Sequence, residues 1–159
     1  MTKEILTFAG GIVIGVAVGY GIYKLYKYNK AQTTHNDEND LSNSVKNIDK
    51  SEQKFQDLVS NQTYVELLTA KELTRWFREK RSQVNKEAKM VITIPTEQNM
   101  RGLGYPIGTN LDVNSNIIQM FYDDQKGEAI LTRLVSYMDI DSNLQAKLLE
   151  QDGMLVVTD

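Results

Sequence analysis

The chain has 159 residues, a formal net charge of −3, one histidine and no cysteine. Disulfides and thiolate chemistry are therefore excluded, and a zinc site would have to be built from carboxylates alone. Charge is uneven: the first thirty residues carry four lysines against one glutamate, and the remainder carries fourteen basic against twenty acidic residues, which argues against nucleic acid as a partner.

Residues 5–23 (ILTFAGGIVIGVAVGYGIY) hold no charge and, at about 1.5 Å per helical residue, are long enough to cross a hydrocarbon core of about 30 Å. The stretch predicts a single transmembrane helix, so membrane lipid is the first expected partner. Gly11, Gly15 and Gly19 recur at every fourth position. Small residues at that spacing let helix backbones approach closely in lipid, predicting a homo-oligomer or pairing with another membrane helix. At the exit Tyr20, Tyr23 and Tyr26 interleave with Lys24 and Lys27, placing amphipathic rings and snorkelling ammonium groups at one headgroup layer. The lysines after the span outnumber the single lysine before it, which puts the C-terminal part on the cytoplasmic face of a bacterial membrane. The alternative is a cleaved signal peptide, for which Ala17, Val18 and Gly19 offer small residues at the right spacing; the domain would then lie outside the cell.

The anchor therefore takes 1–30. Residues 31–43 (AQTTHNDENDLSN) are polar and aperiodic and read as a flexible linker. The lone histidine, His35, falls there with no ligand set around it. The remaining 44–159 suit one small domain.

In that domain Val45, Ile48, Phe55 and Leu58 recur at helical spacing over 44–60. Residues 63–68 (TYVELL) fit a short strand or the first turn of a helix. Thr69 and Glu72 form a capping box flanked by a Leu68–Leu73 staple, so a helix begins at Ala70. Its basic face has Glu72–Arg75 and Arg75–Glu79 pairs available. Residues 89–94 (KMVITI) read as a strand ended by Pro95, and 96–101 as one helical turn closed by Gly102. Strands at 116–122 and 128–138 flank the turn DDQKG as a hairpin. A helix capped by Asp141 or Ser142 ends at Gly153, and a strand covers 154–158. The expected fold is α+β: a four-stranded, mainly antiparallel sheet with two or three helices on one face.

The irregular stretch 102–116 is the candidate binding loop, with Gly102, Gly104, Tyr105 and Asp112 as its marked residues. Its glycines do not have dinucleotide-fingerprint spacing. Two runs imitate a calcium loop, Asp112-Asn114-Asn116 and Asp139-Asp141-Asn143 with Glu150. Both lack glycine at the sixth position, where Ile117 and Leu144 stand, and Asx turns or helix caps explain the same residues. No catalytic constellation, cofactor site or metal site is legible, and a non-enzyme is expected. The favoured reading is a membrane-tethered interaction or assembly module that presents the 102–116 loop and a sheet edge to a protein partner. The competing one is a membrane-bound enzyme using Asp112, Asp123 and Asp139.

Overall fold

The computed structural model describes residues 41–158, together with the dipeptides 6–7 and 13–14. Five strands carry the domain: β1 Gln62–Leu68, β2 Lys89–Thr93, β3 Asn116–Asp123, β4 Glu128–Ile140 and β5 Met154–Thr158. Four helices accompany them: α1 Leu41–Ser60, α2 Ala70–Lys80, the six-residue α3 Glu97–Gly102, and α4 Ser142–Glu150. Across the sheet the order is β5-β2-β3-β4-β1. Every pairing in that run is antiparallel except β1 with β4, which is parallel. Two-residue strands at Leu6–Thr7 and Val13–Ile14 continue the sheet beyond β5.

β3 is the axis of the fold because neither of its faces meets water: Asn116 through Tyr122 are all buried. Alternation along a strand sends successive side chains to opposite faces. Ile117 and Phe121 meet Leu73, Trp76 and Phe77 of α2 and Leu144 and Leu148 of α4. Ile118 and Met120 meet Leu58 of α1 with Met100 and Leu103 from the α3 region. Helices therefore cover both faces, not one.

The sheet is five-stranded and mixed in place of the four-stranded, mainly antiparallel one expected, because 62–68 is a strand. Its parallel partner lies 72 positions on, Gln62 opposite Leu134, a distance at which no local signal operates. Thr69 caps α2 as expected, accepting from the Glu72 N–H at 3.3 Å, with Leu68 and Leu73 fully buried beside it. The Glu72 carboxylate turns instead to Arg75 at 2.6 Å.

The turn after α4 closes at Gly153, whose φ of +76° suits glycine. Its N–H donates to Leu148 O at 2.7 Å, and its carbonyl accepts from Ile94 N at 2.7 Å. A Cβ there would stand 3.3 Å from the Ile94 side chain.

α1 begins at Leu41, inside the span read as linker. The rest of that linker, the glycine face, the tyrosine–lysine exit and His35 lie outside the described residues, as does the 5–23 span apart from Leu6–Thr7 and Val13–Ile14. Among the described residues no helix is long and apolar enough to cross a membrane.

Candidate functional site

The residues marked in the 102–116 loop go to different places. Tyr105 turns inward and is only 4% exposed. Lys54 of α1 lies 4.9 Å over its ring and donates to Leu103 O at 2.5 Å, fastening the start of the loop to α1. Burial pulls the Lys54 ammonium below its usual pKa, against the opposing pull of Glu128. The same burial pushes the Tyr105 phenol up to about 12, against the opposing pull of the Thr132 side chain. Gly104 takes φ +75°, where a Cβ would lie 3.7 Å from Lys54 Nζ. Gly102 closes α3 and has open space where a Cβ would point.

Asp112 shuts the far end of the loop. Its carboxylate accepts from the Asn114 N–H and the Ser115 hydroxyl, both at 2.9 Å, and these bonds hold its pKa below the usual carboxylate value. Its carbonyl accepts from Asn116 Nδ2 at 3.0 Å. This is an Asx turn feeding β3. Between the two clamps, Ile107 is 66% exposed.

The three carboxylates considered for catalysis do not share one site: Asp123 is at the far end of the β3–β4 pair from Asp112 and Asp139. Asp112 precedes β3 and Asp123 ends it, separated by roughly 24 Å of strand. Asp139 stands near the end of β4, where its carboxylate accepts from the Ile140 N–H at 2.8 Å. Asp123 accepts from the Gln125 and Lys126 N–H groups at 2.9 and 3.1 Å within the hairpin turn. Asp141 accepts from Asn143 N and Leu144 N, both at 3.1 Å, as the cap of α4. Among the described residues no three acidic or histidine side chains converge to hold a metal.

The most built-up polar arrangement was not foreseen from sequence. Gln119, at the middle of β3, is entirely buried. Its Nε2 donates to Leu73 O in α2 at 3.0 Å, and its Oε1 accepts from Arg133 Nε at 2.8 Å. The Arg133 guanidinium lies 5.1 Å over the Trp76 ring, a cation–π geometry. Burial pulls its pKa down to about 10, with Glu72 opposing and Arg75 adding to the fall. Glu72 and Glu79 are themselves committed to Arg75, at 2.6 and 3.9 Å. The arrangement braces α2 to β3 and β4. The signal for it is a glutamine in the middle of the apolar run IIQMFY.

The comparisons give no kinship. No family model matches the chain, and neither a curated protein nor a solved structure matches it.

The surface is less finished at one margin of the sheet. β1 is hydrogen-bonded to β4 on one side and, among the described residues, ends the sheet on the other. Its side chains are exposed except for half-buried Val65 and buried Leu68. Tyr64 is 59% exposed, Leu67 50%, and Met138 on the adjoining stretch of β4 77%. Edge strands in soluble proteins are ordinarily guarded by lysine, proline, a bulge or brevity. The seven residues QTYVELL have no lysine, proline or glycine, and their pairing with β4 keeps one register throughout. Glu66 is the only charge among them.

Proposed function

We propose that this chain is a membrane-tethered interaction module, anchored by its apolar 5–23 run and receiving a protein partner at the open edge of β1. The unguarded edge carries the reading, because exposed main-chain donors and acceptors beside large apolar side chains are the materials of strand addition. The protruding Ile107 of the 102–116 loop supplies a second exposed apolar contact. The anchor half rests on the uncharged length of 5–23 and its glycine face.

A photo-crosslinking side chain at position 64, in membranes from cells making the full chain, tests both halves. Recovery in the membrane fraction with the N-terminus intact and a defined crosslinked protein is expected. A soluble product beginning near Tyr20, or a membrane product with no crosslink, overturns the reading. Fractionation also decides between two arrangements that exclude each other: the pairing of Val13–Ile14 with β5, and a membrane helix through the same residues.

A further inference from the structure

The shape of the open edge says which partner fits it. We infer that β1 pairs antiparallel with β1 of a second copy of this chain, across a two-fold axis centred on Val65. This deepens the interaction reading above and rests on it for the exposed edge being a docking surface.

Three observations select the partner and the register. A two-fold axis perpendicular to a sheet keeps every side chain on its own face, so residues brought opposite must be an even number of positions apart, and the axis lies between the two copies of one residue. Centring on Val65 matches all seven residues of Gln62–Leu68 with their copies, Gln62 opposite Leu68 and Thr63 opposite Leu67. Centring on Tyr64 sets Leu68 against Ser60, which belongs to α1 and has no strand edge to offer.

Centring on Thr63 or Leu67 leaves only three residues of the strand matched, and charge excludes Glu66. Centring on Glu66 puts two carboxylates directly opposite, which is destabilising across strands. In the Val65 register Glu66 instead faces Tyr64, whose phenol can donate to it, and the two glutamates stand on a diagonal roughly 8 Å apart. The lone charge of the edge thus meets a donor in the copy at the one register that also uses the full strand.

The third observation is the lack of an alternative cover. No described residue pairs with the outer side of β1, and Tyr64 and Leu67 expose large apolar area on opposite faces of the strand, as the partner's Leu67 and Tyr64 do. A seven-residue edge is small beside a standard interface of about 1,600 Å². The dimer is therefore reversible in free solution and gains from confinement of both copies to one surface, which raises their effective concentration.

The absence of native cysteine gives a clean test with the full chain in detergent micelles. Chains carrying Tyr64→Cys are mixed with chains carrying Glu66→Cys and oxidised gently. A mixed disulfide dimer is expected, forming faster than either homodimer, because only the mixed pair stands directly opposite. A second measurement covers charge: Tyr64→Glu sets carboxylates against Glu66 twice per dimer and should weaken self-association about tenfold, while Tyr64→Lys keeps it. Both substitutions fall on an exposed side chain, and unchanged circular dichroism verifies the fold. No mixed disulfide, homodimers forming as fast, or equal association of the Glu and Lys variants overturns the self-pairing. Membrane recovery with a crosslink to a different protein at position 64 overturns it too, while leaving the interaction reading intact.

Discussion

Replacing Gln119 with leucine keeps the volume of a fully buried side chain and removes both of its hydrogen bonds. Leu73 O keeps its place in the α2 ladder and loses a neutral bond worth about 1 kcal/mol. Arg133 Nε loses its Gln119 acceptor within a half-buried charged group, which costs about 1.5–3 kcal/mol. The sum is about 3 kcal/mol, and at a urea slope near 2 kcal/mol per molar it lowers the midpoint by about 1.5 M. Trp76, the only tryptophan, sits under the guanidinium and reports the transition by its fluorescence. The decisive comparison is the double variant Gln119→Leu/Arg133→Leu. Once the cation is gone no charge is left unpaired, so the double variant should recover about half of the loss, less the cation–π contact. A double variant as unstable as Gln119→Leu alone would refute the claim that the orphaned guanidinium dominates.

Two pH-linked predictions accompany it. Among the described residues the buried Tyr122 hydroxyl has no hydrogen-bond partner, and burial, reinforced by Asp124, raises its pKa to about 12. The unfolded phenol ionises near 10 while the native one holds its proton, so stability falls as pH climbs from 10 to 12. Tyr122→Phe should make that fall shallower and add about 1 kcal/mol at pH 7, read by urea unfolding at pH 7 and 11; an unchanged alkaline slope counts against it. The Asp112 carboxylate has the opposite sign. Its backbone and hydroxyl bonds hold its pKa below the ordinary 3.8, so its contribution is complete above 3.8 and fades as pH drops through the lower native value. Amide exchange at Asn114 should speed up in that acid window in the wild type, and Asp112→Asn should abolish the dependence.

Where periodicity was strong, the sequence was readable. The alternation of KMVIT, the hairpin around DDQKG, and the capping pair Thr69 and Glu72 each use a signal contained within a dozen residues, and β2, β3, β4, α2 and α4 fall where those signals put them. β1 was ambiguous because an exposed edge imposes no alternation: Tyr64, Glu66 and Leu67 all reach solvent. The second helical face was missed because α1 buries a narrow stripe, Leu58 with Phe55 and Val59 at its side. Tyr105 reads from sequence as a binding-loop residue, yet a loop aromatic next to glycine is as apt to plug a core as to meet a ligand. Gln119 could be seen as odd within its strand, but its purpose depends on Leu73 O, 46 residues away in sequence.

The parallel union of β1 with β4 also sets a timetable for synthesis. A ribosome that has just released Gln62 must add 72 more residues before Leu134 exists to receive it, roughly 4–14 s at ordinary elongation rates. Throughout that interval the nascent QTYVELL segment has two vacant flanks where the finished molecule has one. Neighbouring nascent chains on one message would meet at those flanks first, so a factor that shields the emerging segment should improve the yield of correctly folded product more than one that acts after release.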